Sequence, residues 1–433
     1  MSLSKGPTNE GKQGLLSGRR YGSTSSPRTA GVDHASTNAS VASKRQLLYD
    51  ISTMTNAITN LVILGSTGSI GQQTLDVIRA LPDRFNVIGL AAGGNIQLLK
   101  EQIKEFSPQY YYCTDKPALT LSSDSRYLNM EEMSALPEAD IVVVATPGGA
   151  GLKPTLAAVR AGKKIALSNK EALVSAGSVI MSEAEKHKAE ILPVDSEHSA
   201  IWQCFEGEDR ENAKIVLTAS GGPFRGYSKE QLAEVTPEQA LKHPSWKMGK
   251  KVTIDSATLF NKGMEVIEAH WLFGISYEDI SVLVHPQSII HSMVEFKDGS
   301  VKAQLGIPDM RLPIQYALTY GKRSDNPAIP RIDWRKINKL DFEQPNTDVF
   351  PCLKLAIDAG KEGGTMPAVL CAADEVAVTL FLESRIKFNH IAELIEKTLE
   401  KHANINNPTL ENIFAADDWA RVTAIELAEN LSK

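Results

Sequence analysis

Four consecutive residues, Asp195-Ser196-Glu197-His198, gather two carboxylates, a hydroxyl and an imidazole into one short run. A turn needs only one of these, and a solvated face would more often mix in a lysine. The cluster points to a bound cation or to acid–base chemistry. A second acidic pair, Glu265 and Glu268, lies within 256-SATLFNKGMEVIEAHWLFG-274. Leu259, Met264, Ile267, Leu272 and Phe273 recur at core spacing there, so the run reads as a helix with both glutamates on one face. Alone, such a pair is usually wet surface; Asn261 and Lys262 just before it argue for a site. Asp195, Glu197 and one of the two glutamates would offer three hard oxygen ligands. These suit Mg2+ or Mn2+, with water or substrate oxygens completing the shell. No histidine or thiolate stands at a spacing that favours zinc. A glycosidase-type carboxylate pair is the competing chemistry, and it leaves the nucleotide-binding features below unexplained.

Two segments read as anion grips. In 218-TASGGPFRG-226, Ser220 and the two following glycines can wrap a phosphate with a hydroxyl and backbone N–H groups. Ser256, Asn261 and Lys262 add two neutral donors and a cation, a suitable set for a phosphate ester. Between them lies 242-KHPSWKMGKK-251, whose Trp246 sits in a Pro- and Gly-flanked polar loop. A lid that excludes water and a surface loop with a tucked tryptophan fit that loop equally well.

The elements that must position these groups begin at residue 60. The run 60-NLVILGSTGSIGQQTLDVIRAL-81 is an apolar strand, a glycine turn and an amphipathic helix. Gly65 permits the tight turn, Gly68 admits a pyrophosphate, and Gly71 lets helix and strand pack closely. Thr67 and Ser69 put hydroxyls near the helix N-terminus, which favours an anion. A second strand follows at 86-NVIGLAAGGN-95. At its end, where an NAD enzyme usually carries an acidic residue for the ribose, stand Ala91, Ala92, Gly93, Gly94 and Asn95. The missing carboxylate removes a repulsion against a 2′-phosphate, so the reading is NADP. Strand-like runs at 109–113, 140–145, 163–167 and 191–194 alternate with helical patterns, as in doubly wound α/β folds. Asn169, Lys170 and Glu171 follow one such strand and Asp195 another, so both groups fall at strand carboxyl ends, where ligands bind. Strand signals recur at 280–305, suggesting an open sheet edge or a dimer contact; His285 and His291 beside them read as structural. The segments 365–386, 389–402 and 409–433 are helical patterns without evident chemistry.

The bulk properties agree. A chain of 433 residues suggests two or three domains. Its net charge of −6 leaves no basic excess for nucleic acid. The four cysteines, at 113, 204, 352 and 371, share no metal-binding spacing and fit a reducing compartment. No apolar run reaches the ~20 residues needed to span a bilayer, so no membrane role is expected. Residues 1 to about 57 are rich in Ser, Thr, Gly and Asn and lack apolar periodicity, so no packed structure is expected there. The preferred reading is an extension ahead of a natural start at Met54, in a cytoplasmic protein. The other is a basic, Ser-rich transit peptide, which would send the protein to a plastid.

From about residue 58 to its end the chain resembles the 1-deoxy-D-xylulose 5-phosphate reductoisomerase family. The resemblance rests on GSTGSIG (65–71), SNKE (168–171), LPVDSEHSAI (192–201), SGGPFR (220–225), HPSWKMG (243–249), DSATLFNKGMEVIEAHWLFG (255–274) and HPQSIIHSM (285–293). It implies an NADPH-dependent enzyme that also uses manganese, magnesium or cobalt. Its substrate would be 1-deoxy-D-xylulose 5-phosphate, rearranged by retro-aldol cleavage and re-addition and then reduced. Asp195, Glu197 and Glu265 become the implied metal ligands, with Glu268 in the surrounding shell and His198 structural. Lys170, Ser196, Ser220, His243, Trp246, Ser256, Asn261 and Lys262 become substrate contacts. Lys170 and His243 join the three carboxylates as implied catalytic groups. Thr67, Gly68, Ser69, Ile70, Gly93, Asn95, Asn169, Glu171 and Gly249 are assigned to the cofactor. The implied architecture is a Rossmann-type NADPH domain (58–195), an α+β catalytic domain with an open sheet (196–320), a linker (321–353) and a C-terminal helical domain (354–433), in a homodimer. Two departures stand out: Gly94, where some members carry Lys, and Asp374, where Asn is common.

Overall fold

The structure, a computed structural model, describes residues 58–114, 125–243, 246 and 248–431. The expectations for residues 1–57 lie outside this range. Seven strands form a sheet: β1 (Thr59–Leu64), β2 (Phe85–Ala92), β3 (Tyr110–Cys113), β4 (Arg126–Tyr127), β5 (Ile141–Val144), β6 (Lys164–Leu167) and β7 (Glu190–Pro193). Their order is β4-β3-β2-β1-β5-β6-β7, with every pair parallel. Leu61, Val62, Ile63 and Leu64 are fully buried because helices cover both faces, which is why β1 reads as an unbroken apolar run. Strand order reverses between β1 and β5, the switch point at which such sheets bind ligands. The second strand ends sooner than its sequence pattern suggests: Gly93 and Gly94 form a turn, and Asn95 caps the Ile96–Phe106 helix by accepting the Leu98 N–H at 3.2 Å.

A second, four-stranded sheet contains β8 (Lys214–Ala219), β9 (Ile280–Val284), β10 (Ile290–Glu295) and β11 (Val301–Leu305), in the order β11-β10-β8-β9. Its core merges with that of the C-terminal helices Cys352–Glu362, Met366–Leu382, Asn389–Lys401 and Leu410–Leu431. The Arg311–Leu318 helix instead buries Ile314, Ala317 and Leu318 with one face of the parallel sheet. No described helix is long and apolar enough to cross a membrane.

The run 256–274 is not one helix. Leu259, buried and at φ 61°, ends the Lys250–Thr258 helix and starts the Phe260–Phe273 helix. A left-handed leucine costs about 1–2 kcal/mol. The break changes the chain's direction, so Ser256 on one helix and Asn261 and Lys262 on the next line the same cavity.

Candidate active site

The carboxyl ends of β6 and β7 begin the site. These strands pair in parallel with Leu167 opposite Pro193. Lys170 opens the helix after β6, and Asp195 caps the helix after β7, so neighbouring strands deliver them to one place. The two form an ion pair, with Lys170 also 3.9 Å from Glu265. Asp195 accepts the Ser196 N–H at 2.9 Å, which fixes its carboxylate at the helix start. Glu197, two residues on, accepts from Lys262 at 2.8 Å and from the Ser196 hydroxyl at 2.6 Å.

Glu265 comes from the Phe260–Phe273 helix. Asn261, four residues earlier, donates to it at 2.6 Å, and Lys262, three residues earlier, pairs with it. Oxygens of Asp195, Glu197 and Glu265 approach to within 4.8 Å of one another. Asp195, His198 and Glu268 form a second group with the same spacing. His198 is fully buried; its Nε2 donates to the Glu265 carbonyl at 2.9 Å, and its Nδ1 lies 3.7 Å from both Asp195 and Glu268. Both glutamates of the acidic pair are therefore inside the protein, one facing the cavity and one behind it.

Burial opposes the charged form of every group here, and the partners decide the outcome. Burial lowers the pKa of Lys170, but Asp195 and then Glu265 outweigh it and raise it above the ordinary value. Burial likewise raises Asp195, and Lys170 overcomes this to hold it well below the usual carboxylate range. At Glu197 burial again raises the pKa, and Lys262 outweighs it to bring it below the ordinary value. Glu265 goes the other way: burial, then repulsion from Glu197, push it up to about 8. Two ammonium groups answer two of the three carboxylates, and Glu265, its oxygens already converged with theirs, resists ionising until a further cation answers it. This donor set fits a hard divalent cation.

A cavity of about 620 Å3 opens over these groups. At one pole His243 accepts the Trp246 N–H on Nδ1 at 2.9 Å, so its neutral ring carries the proton on Nε2. That nitrogen lies 3.0 Å from the Ser220 hydroxyl and 3.1 Å from that of Ser256. Burial lowers the His243 pKa, which favours the neutral ring. The pole therefore joins three segments separated in sequence around neutral donors, and Lys262 lines the same cavity. Every residue read as catalytic or substrate-contacting lines this one cavity: Lys170, Asp195, Ser196, Glu197, Ser220, His243, Trp246, Ser256, Asn261, Lys262 and Glu265.

The cofactor set divides. Ser69, Ile70 and Gly249 line the cavity. Thr67 and Gly68 lie on the same turn, at the start of the Ser69–Ala80 helix, and Gly93 and Asn95 are exposed at the end of β2. Two of its glycines have no room for a side chain: a Cβ on Gly71 would lie 2.2 Å from the Gly65 carbonyl oxygen, and one on Gly65 2.4 Å from that of Ala145. Asn169 is 1% exposed and engaged with backbone, accepting from Ala172 at 2.8 Å and donating to the Thr146 and Gly148 carbonyls at 2.7 and 2.8 Å. It holds the switch-point loop against β6. Glu171 lies 4.0 Å from Lys251, away from the cavity lining. Met248, Ser288, His291 and Met310 also line the cavity, though sequence reading gives them no role there. Only the identity of His291 offered a signal, and its place on a strand hid it. Residues 244, 245 and 247 of the proposed lid lie outside the described residues.

Known proteins match this arrangement. Three family models fit successive parts of the chain: 1-deoxy-D-xylulose 5-phosphate reductoisomerase at residues 61–177, its C-terminal domain at 191–273, and the DXP reductoisomerase C-terminal domain at 305–423. The reductoisomerase of Pelotomaculum thermopropionicum is 52% identical over 392 residues, covering 86% of this chain and 99% of its own. The chain belongs to the 1-deoxy-D-xylulose 5-phosphate reductoisomerase family. Within that family, the Nostoc sp. enzyme is 47% identical over 398 residues, covering 87% of this chain and 98% of its own. The solved Zymomonas mobilis reductoisomerase in complex with NADPH is 44% identical with a TM-score of 0.80, covering 86% of this chain and all (100%) of that one. A reductoisomerase solved with NADPH, fosmidomycin and magnesium is 36% identical with a TM-score of 0.81, covering 87% and 100%.

Proposed function

We infer that the protein converts 1-deoxy-D-xylulose 5-phosphate to 2-C-methyl-D-erythritol 4-phosphate in the non-mevalonate isoprenoid pathway, using NADPH and a divalent cation. The observation that carries this reading is the convergence of Asp195, Glu197 and Glu265 oxygens within 4.8 Å, in the cavity that Ser69 and Ile70 of the glycine turn also border. Asp195, Glu197 and Glu265 would hold the cation, manganese or magnesium by their hard oxygens. When bound, the cation supplies Lewis acidity and the dinucleotide supplies a hydride.

The chain's own residues do the rest. Ser220, Ser256, Asn261 and Lys262 receive the phosphate, with His243 Nε2 donating beside them. Lys170, charged and held by Asp195, donates to a substrate oxygen at the carboxylate pole. Ser196 reaches the substrate from between the two ligands on its helix. Trp246 covers the bound sugar and excludes water. The glycine turn receives the pyrophosphate, and Gly249 touches the cofactor from the lid. In this reading Asn169 and Glu171 serve the nicotinamide side by fixing the loop that begins the Lys170–His187 helix.

Two broader features belong to the same proposal. The protein acts as a homodimer, for which the unpaired outer edge of β11, with Val301 53% exposed, offers a surface. It works in the cytoplasm, or in a plastid if residues 1–57 are a transit peptide. The decisive experiment follows nicotinamide absorbance with NADPH, 1-deoxy-D-xylulose 5-phosphate and Mn2+, then repeats it with EDTA. Oxidation that requires both sugar phosphate and metal is expected. Oxidation that persists in EDTA would refute the carboxylate site.

A further inference from the structure

The 321–353 segment, read from sequence only as a linker, reaches the turns that flank the phosphate pole. Glu343 exchanges two backbone hydrogen bonds of 2.9 Å with Val284, adding a bridge to the free edge of β9. Asp341 sits over the turn after β9. Its carbonyl accepts from His285 Nδ1 at 2.8 Å, and its carboxylate accepts from Gln287 Nε2 at 2.7 Å. Its N–H donates to Gln287 Oε1 at 3.2 Å. Phe342 stacks on the His285 ring at 5.0 Å. The Glu343 side chain forms an ion pair with Arg225, at the end of the Ser220–Arg225 loop.

We propose that Asp341–Glu343 is a strap that positions the Ser220–Arg225 loop of the phosphate pole together with the neighbouring turn after β9, with Gln287 and His285 as its positioning residues. His285 is fully buried, and both ring nitrogens are used: Nδ1 donates to the strap, and Nε2 accepts the Ile289 N–H at 3.1 Å. Its own N–H donates to the Ala219 carbonyl at 2.7 Å, one residue before Ser220. His285 thus links the strap, the end of β8 and the turn that presents Ser288 to the cavity, just ahead of β10 and its His291. Ser288 lies at φ 51°, a conformation a serine holds only when its surroundings fix it. The opposite turn is equally constrained: Gly221 is at φ 84°, and a Cβ there would lie 2.9 Å from both Arg225 Cδ and Val284 Cγ1. The strap grips both neighbours, Arg225 through Glu343 and Val284 through the backbone bridge. Its side chains face outward, Asp341 being 40% and Glu343 47% exposed, so its bonds can be cut without opening the core.

This rests on reading the Ser220–His243–Ser256 pole as the phosphate site, and the test separates the two. Gln287→Ala removes both side-chain bonds to Asp341. It is expected to raise KM for the sugar phosphate about 10-fold through misplacement of the pole, while kcat and KM for NADPH stay within about 2-fold. Asp341→Asn keeps an acceptor for Gln287 and is expected to behave like wild type. An unchanged sugar-phosphate KM in Gln287→Ala overturns the strap, as does a parallel loss of NADPH affinity and thermal stability. If the unaltered protein shows no turnover, the functional reading fails, and inorganic phosphate becomes the probe. Phosphate should raise the unfolding temperature of the unaltered protein, and Gln287→Ala should need about 10-fold more of it; equal dose responses, or no response in either, overturn the strap.

Discussion

In the proposed function the glycine turn works through backbone N–H donors, and the side chains that matter there are the absent ones. At the carboxylate cluster the working groups are charged side chains from three helices, and none acts alone. The first wall depends on close approach: Gly65, Ser66 and Gly71 are packed so tightly that no Cβ fits at 65 or 71. The second depends on charge balance: Lys170 answers Asp195, Lys262 answers Glu197, and Glu265 is left with its pKa pushed up. One wall fails when volume is added, the other when charge is removed. Because they meet in one cavity, cofactor binding and chemistry should be separable by mutation.

Glu265→Gln should give the widest separation. It keeps shape and one carbonyl oxygen but removes the charge that would complete the three-carboxylate set. Turnover is expected to fall by at least about 10³-fold, or ~4 kcal/mol of barrier, while the NADPH dissociation constant by fluorescence titration changes less than about 2-fold. Near-normal turnover would show that the cation is held elsewhere, with Asp195, His198 and Glu268 the next set to test. Gly71→Ala probes the other wall. Its methyl would meet backbone at 2.2 and 2.5 Å, which no rotamer can relieve. A loss of stability of about 3 kcal/mol and of most NADPH affinity is expected in denaturant unfolding and cofactor titration. Metal affinity should survive in whatever fraction folds.

The two walls also differ in how far the sequence discloses them. The glycine turn is local: strand, turn and helix are contiguous, and each glycine's spacing carries its reason. Lys170 and Asp195 are nearly as plain, because a strand's carboxyl end predicts where its next residues go. The choice between Glu265 and Glu268 is different. Helical spacing puts them on one face, and both are 1% exposed; only the placement of His198 behind and the cavity in front separates them. The left-handed Leu259 leaves no mark, since leucine is an ordinary helix former. Nor does the strap, whose bonds to Gln287 and Arg225 span 54 and 118 residues. Local periodicity cannot encode contacts of that range.

Behind the charged wall lies a second buried cluster that puts charge balance to a pH test. Lys251 donates to Asp255 and Asp374 at 2.7 Å each, and both carboxylates are fully buried. One ammonium serves two carboxylates. Burial, reinforced at Asp255 by Asp374, raises both their pKa values above the ordinary 3.8. For an acid whose pKa folding raises, stability is full below the unfolded value and is lost as pH rises through the folded one. Asp374→Asn keeps an acceptor for Lys251 and removes the surplus charge. Its stability relative to wild type should therefore grow from pH 4 upward, by roughly 1.4 kcal/mol for each unit of raised pKa. Parallel unfolding curves for the two proteins across pH would mean that Asp374 titrates normally.

The smallest effect belongs to the backbone wall. Gly94 is exposed at the end of β2, its φ is not positive, and a Cβ there meets nothing within 4 Å. Unlike Gly71 it is free to change, and Gly94→Lys should leave the unfolding temperature unaltered. A lysine there stands where the cofactor's 2′-phosphate is expected, so NADPH should bind about 2- to 5-fold tighter, under ~1 kcal/mol for an exposed pair. The gain should vanish for NADH, which lacks that phosphate, and shrink at high salt. Equal gains for both cofactors would place the new charge near the pyrophosphate instead. No gain would mean that the 2′ end lies beyond this turn, and that backbone alone, as at Gly68, does the holding.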